Sequence, residues 1–153
     1  MAFQDTTHDA EQEETPWAPG YEAPATRPRV LIAEDDREMR RMLVRALQRR
    51  GCDVHEVPNG RELLGTLTRG LAGVEGAAPD VIITDVRMPG VTGLEALARL
   101  RRVDWATPVI LITAFGDAAT HAEAMRLGAA FVFDKPFDLD VLCGAVTRLI
   151  GEG

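Results

Sequence analysis

Lysine is almost missing from this chain of 153 residues, where Lys135 stands alone beside sixteen arginines. Basic charge is in deficit overall, with 17 Lys and Arg against 24 Asp and Glu and a formal net charge of −7. Binding a phosphate backbone needs a concentrated basic face, so direct nucleic-acid binding is not expected. Aromatic residues make up only 5% of the chain, and there are two cysteines. Cys52 and Cys143 belong to no CxxC pair or Cys/His cluster, which argues for reduced, partly buried small apolar side chains rather than a disulfide or zinc site. No run of about eighteen apolar residues exists, and the N-terminus is acidic rather than basic before an apolar stretch. Neither a membrane span nor a signal peptide is expected, and the cytoplasm is the expected compartment.

What is present suits one domain of ordinary size, with 46% hydrophobic residues available for a core. Residues 1–28 stand apart. They hold six acids (Asp5, Asp9, Glu11, Glu13, Glu14, Glu22) against Arg27, four prolines, and little beyond Phe3, Trp17 and Tyr21 to bury. Such a segment cannot offset the entropy of ordering, so a disordered acidic tail is expected, with Trp17 and Tyr21 as a candidate docking motif.

From Arg29 onward short β-branched runs alternate with helical periodicity. Val30 to Ala33 reads as a strand and about Arg37 to Arg50 as a helix, in which Met39, Met42, Leu43, Ala46 and Leu47 recur at three- and four-residue spacing and arginines fill the other face. A second strand, Val54–Val57, leads to a helix opened by Asn59 and ending near Arg69; residues 70–79 read as a loop. Val81–Thr84 is the third strand, and Thr92 with Glu95 has capping-box spacing at the start of the third helix. Strands at Val109–Ile112 and Ala130–Phe133 alternate with helices over about 117–127 and 138–150. Five βα units with continuously apolar strands imply an α/β fold: a doubly wound parallel sheet buried on both faces with right-handed helical crossovers.

In such sheets chemistry collects at the carboxyl ends of the strands. Glu34-Asp35-Asp36 follow the first strand, Asp85 the third, Thr113 the fourth and Lys135 the fifth. Asp36 reads as a helix cap. If Glu34, Asp35 and Asp85 converge, two unit charges at 4 Å repel by about 4 kcal/mol at an effective dielectric near 20, so a cation is required. Hard oxygen ligands in a shallow, wet cleft suit Mg²⁺, which keeps coordination sites for phosphate oxygens. The Thr113 hydroxyl and the Lys135 ammonium suit the equatorial oxygens of a transferring phosphoryl group, and Asp85 becomes the candidate nucleophile. A compact ammonium serves that task where a planar guanidinium would not, although compositional bias alone could also leave one lysine.

The motifs V-L-I-A-E-D-D, I-I-T-D-V-R-M-P-G-V-T-G, L-I-T-A and F-D-K-P-F, in this order, make residues 29–150 resemble a two-component response-regulator receiver domain of the chemotaxis type. The resemblance covers about four-fifths of the chain and implies a flavodoxin-like five-stranded sheet, order 2-1-3-4-5, with five helices. It implies Glu34 and Asp35 as the metal-binding acidic pair, Asp85 as the phosphoacceptor, and the backbone carbonyl of Arg87 as a further ligand. Thr113 then matches the switch hydroxyl, Lys135 the phosphate-pairing lysine, and Pro136 the proline preceded by a cis bond. The implied partners are a histidine kinase or phosphotransfer protein upstream and a target protein downstream, reached through a two-state shift of the fourth helix, fifth strand and fifth helix. The implied catalysis is limited to the domain's own phosphoryl transfer and dephosphorylation. The alanines of the fourth helix (Ala118, Ala119, Ala122, Ala124) fit either weak anchoring or tight packing. Val132 departs from the family, which usually carries Tyr or Phe there, and Arg87 overlooks the acceptor at a position expected to influence phosphate loss.

Two other readings stay open. A pseudo-receiver would use the same fold as a phosphorylation-independent interaction module, but would be expected to lack some of these acids or the lysine. An aspartate-nucleophile phosphatase of the haloacid-dehalogenase type wants a second acid two residues after the nucleophile, where Arg87 stands. After the expected fifth helix only Gly151-Glu152-Gly153 remain, which fits either a stand-alone receiver acting through a partner or a piece of a larger regulator.

Overall fold

The computed structural model describes residues 27–74, 76, 78–114 and 116–152. The expected disorder of the tail and its Trp17/Tyr21 motif therefore fall, for residues 1–26, outside the described residues. Five strands, β1 (Arg29–Ala33), β2 (Asp53–Val57), β3 (Val81–Asp85), β4 (Val109–Thr113) and β5 (Phe131–Asp134), alternate with five helices, α1 (Arg37–Gln48), α2 (Gly60–Leu71), α3 (Gly93–Leu100), α4 (Ala118–Arg126) and α5 (Leu139–Glu152). The strands pair in parallel in the order β2-β1-β3-β4-β5, the expected doubly wound arrangement.

The alternation of side chains along each strand divides the core in two. Leu31, Ile82 and Leu111 pack with Leu63 and Leu67 of α2, Ala96, Leu97 and Leu100 of α3, and Ala124 of α4. Val30, Ile32, Ile83, Ile110 and Ile112 face the other way, against Leu43 and Leu47 of α1 and Leu142 and Val146 of α5. The three central strands are thus mainly apolar on both faces, with polar residues confined to Arg29 at the start of β1 and to Thr84, Asp85 and Thr113 toward the carboxyl ends of β3 and β4. Truncating one of the fully buried leucines to alanine removes about 2–5 kcal/mol of stability. Cys52 and Cys143 are buried free thiols within the second cluster.

Side chains set the helix starts. Asp36 accepts hydrogen bonds from the Glu38 and Met39 N–H groups, Asn59 from Glu62 N–H, and Asp117 from Thr120 N–H. Thr92 and Glu95 form a complete reciprocal capping box. These caps satisfy amide donors that the first helical turn leaves without partners. Two boundaries differ from expectation for one reason: Asp85 and Thr113 complete β3 and β4 rather than following them, because parallel pairing continues to Asp85↔Ile112 and Thr113↔Asp134. Helix α2 continues through Leu71, beyond its expected end near Arg69, and α5 through Glu152, beyond its expected end at Ile150, because nothing in Gly151-Glu152 interrupts the helical backbone.

Of the residues of α4 only Ala124 is buried, and Met125 is 59% exposed. Weak anchoring, not tight packing, is the reading of its alanines that the fold supports.

Candidate functional site

Strand register builds the site. Ala33 lies level with Thr84, so the next residue of each chain segment, Glu34 and Asp85, emerge as neighbours at the carboxyl edge. Glu34 and Asp85 are buried and Asp35 is exposed, and carboxylate oxygens of all three lie within 4.8 Å of one another. Lys135 follows the end of β5, two strands away from Asp85. Its backbone N–H donates to the Thr113 carbonyl at 2.8 Å. Its ammonium reaches back over the edge, donating to Asp85 Oδ2 at 2.7 Å and Glu34 Oε1 at 3.3 Å. The peptide bond between Lys135 and Pro136 is cis.

Backbone donors hold the carboxylates in place. Asp36 N–H donates to Glu34 Oε2 at 3.0 Å, and Arg87 N–H donates to Asp85 Oδ1 at 2.9 Å. Gly93 matters through what it lacks: a Cβ there would run into the backbone carbonyl of Asp85, so only glycine lets the first turn of α3 come this close to the end of β3. At Gly90, φ is +80°, a left-handed conformation that turns the loop between Asp85 and α3.

Electrostatics mark the pocket. Burial, aided by the neighbouring Asp85 charge, pushes the Glu34 carboxyl from 4.5 up to about 7, against the pull of the Asp36 N–H and the Lys135 ammonium. Burial by itself would lower the Lys135 ammonium, but the hydrogen bond and charge of Asp85, with the charge of Glu34, outweigh it and hold it above its ordinary value. One ammonium thus serves at least two crowded acids. Three hard oxygen donors, one of them open to solvent, match the ligand chemistry of Mg²⁺, which prefers carboxylate and water oxygens.

The remaining expected residues are placed less centrally. Thr113 is fully buried at the end of β4, one residue past the rung shared with Asp85. The Arg87 side chain is exposed. Asp117, at the start of α4, is held below its ordinary value first by the Thr120 hydrogen bonds and further by the Arg87 charge, which locates that guanidinium toward α4. Val132 packs on the α2–α4 side of the sheet, while Phe131 and Phe133 turn to the α1–α5 side. There Phe131, Phe133 and Phe137 form a ladder with ring centroids 6.1 and 6.3 Å apart. The neighbouring phenylalanines therefore do not substitute for the aromatic missing at Val132.

One supporting residue escaped sequence reasoning. Arg40 donates from Nη1 to the Glu34 backbone carbonyl at 2.8 Å and from Nε to Glu56 Oε1 at 2.9 Å, tying α1 and β2 to the acidic turn. Among the many arginines of α1, nothing in the pattern singles it out.

A doubly wound sheet with an acidic trio and a lysine at its carboxyl edge defines a class of phosphate-handling switch domains. Within that class the response regulator receiver domain family matches residues 30–147, and the chain belongs to it. It is 39% identical over 122 residues to Regulatory protein AtoC of Escherichia coli K12, covering 80% of this chain but only 25% of AtoC. It is 30% identical over 122 residues to Sporulation initiation phosphotransferase F of Bacillus subtilis, covering 80% of this chain and 93% of that protein. Among solved structures, the Francisella response regulator 1452 receiver domain superposes with a TM-score of 0.73 at 28% identity, over 82% of this chain and 98% of the other. The chain thus spans a quarter of the length of AtoC and nearly all of the sporulation phosphotransferase. Receiver domains are phosphorylation-dependent signalling modules, and this chain has their fold throughout the matched region. No helix among the described residues is long and apolar enough to cross a membrane.

Proposed function

We propose that residues 29–150 form a receiver that takes a phosphoryl group on Asp85 from the phosphohistidine of a histidine kinase or phosphotransfer protein. The observation that carries this reading is the Lys135 ammonium held 2.7 Å from Asp85 beside two further acids. An Asp85 oxygen attacks phosphorus, the phosphorus–nitrogen bond breaks, and the imidazole leaves, giving an acyl phosphate. Glu34, Asp35, Asp85 and the Arg87 backbone carbonyl are the proposed ligands of Mg²⁺, which when bound neutralises phosphoryl oxygens and offsets the repulsion of the acids. Lys135 moves with the new charge, exchanging a carboxylate oxygen for a phosphate oxygen, and the Thr113 hydroxyl donates to another.

Both groups belong to or adjoin β4 and β5, so drawing them inward acts on the loosely anchored α4 beside them and changes the surface that a target protein meets. Val132 leaves that surface without the usual aromatic reporter, so movement of α4 itself carries the signal. The setting is the cytoplasm, where such kinases deliver phosphate, and catalysis does not extend beyond the domain's own phosphorylation and dephosphorylation. Residues 1–28 lie outside the receiver, whose last helix, α5, runs on through Glu152.

The test is incubation with acetyl phosphate and Mg²⁺, followed by intact mass. One added phosphoryl group is expected on the wild type and none on Asp85→Asn or after chelation of the metal. An unmodified wild type, or an adduct that persists on Asp85→Asn, refutes the assignment.

A further inference from the structure

Helix α1 carries a basic surface that the phosphoryl chemistry does not use. Arg37, Arg41, Arg45 and Arg49 recur every four residues and all are exposed, with Met42, itself 40% exposed, between them. Like charges at this spacing repel one another along a helix. Glu38 is the one acid on this face, and no carboxylate of the described residues makes an ion pair with any of the four arginines. In a chain with a net charge of −7, such a stripe is a local inversion of sign.

The acids that could answer it lie in the same chain. Asp9, Glu11, Glu13 and Glu14 fall within six residues, and this segment joins the fold at Arg27. The point of entry is favourable. The Pro28 carbonyl accepts the Asp53 N–H at 2.8 Å, and Asp53 follows directly on the turn Arg49–Cys52 that ends α1. The tail therefore enters at the edge of the sheet where α1 ends, the same end of the fold as Arg49. From Glu14 to Arg27 thirteen residues can span up to about 45 Å, whereas the stripe from Arg49 to Arg37 is about 18 Å long. Tethering keeps the acidic run at an effective concentration on the order of millimolar, enough for a weak charge contact to be populated.

We propose that the acidic segment Asp9–Glu14 of this chain binds in cis along the arginine stripe of α1. The inference rests on charge, reach and the point of chain entry, and holds whether or not Asp85 accepts phosphate. Because α1 begins two residues after Asp35, a tail lying along it also borders the acidic pocket, so an acidic partner approaching α1 must displace it.

The test places a nitroxide on Gln12→Cys in the full chain. Cys52 and Cys143 are buried thiols, both raised by burial above their ordinary value, and stay unlabelled. At 20 mM salt the amide signals of Arg41, Met42 and Arg45 should lose more than half their intensity. At 0.5 M salt, where the Debye length falls to about 4 Å, they should recover. Arg41→Glu with Arg45→Glu should abolish the broadening. So should neutralising the tail with Asp9→Asn, Glu11→Gln, Glu13→Gln and Glu14→Gln, which leaves the folded body untouched. Undiminished α1 signals at low salt overturn the proposal, as does broadening that survives both sets of substitutions. Broadening centred instead on the cleft of about 580 Å³ around Arg29, Asp80 and Thr107 also overturns it. Transfer of the effect to an isotope-labelled, spin-free copy in a mixed sample would show binding between chains and refute the cis contact.

Discussion

Glu34→Gln isolates the electrostatic tension of the pocket. In the folded chain the Glu34 carboxyl titrates at about 7 rather than 4.5, because burial and the Asp85 charge disfavour its ionised form. That difference corresponds to about 3 kcal/mol. The sign follows from proton binding. Between pH 4.5 and 7 the folded state keeps a proton that the unfolded chain has lost, so stability from this group is complete below 4.5, falls as pH rises, and levels off above 7. Glutamine has the shape of the protonated acid, keeps an oxygen for the Asp36 N–H, and does not titrate. Chemical denaturation in chelator, repeated from pH 4.5 to 8, should therefore show the variant and wild type nearly equal at the acid end. The variant should be more stable by about 3 kcal/mol at pH 8. Groups remote from Glu34 cancel in the difference, and Lys135, which feels the Glu34 charge, stays protonated over this range in both proteins. Parallel stability profiles, separated by a constant, would refute the account of a strained buried carboxylate.

Further expectations concern the supports of the pocket and the fold. Gly93→Ala drives a methyl toward the Asp85 carbonyl, so it should destabilise by about 1–3 kcal/mol in a melt and shift the amide resonances of Asp85 and Val86 in NMR spectra. Arg101 is 5% exposed and its guanidinium donates to the carbonyls of Leu127, Gly128, Asp104 and Thr107, so Arg101→Lys, which lacks the fork, should cost about 2–4 kcal/mol; a loss below 0.5 kcal/mol would deny the network a structural role. Arg87→Ala should change the rate at which phosphoryl-Asp85 hydrolyses, measured by intact mass over time, and equal decay in both proteins rejects a role for that side chain.

Much of the architecture was legible in local chemistry. The caps Asp36, Asn59 and Thr92 with Glu95 act within three residues of themselves, so their spacing alone announces a helix start. The apolar strands announce a sheet covered on both faces because parallel strands are buried that way. The acids after β1 and at the end of β3 could be placed on one rim for the same reason: parallel strands end together. Strand ends were less legible, since whether Asp85 and Thr113 still belong to a strand depends on partners in other strands.

What depends on distant parts of the chain could only come from the folded molecule. The contact of Lys135 with Glu34 joins residues 101 positions apart, and Arg40 becomes a support for the Glu34 carbonyl only once α1 lies against β1. The raised Glu34 carboxyl likewise depends on burial and on a charge from another strand. Residue type and short-range spacing thus determined the elements, their order and the polar rim. Distances, burial and the sharing of one ammonium between two acids were decided by tertiary packing, because the Coulomb and desolvation energies that govern them vary with separations no linear pattern encodes.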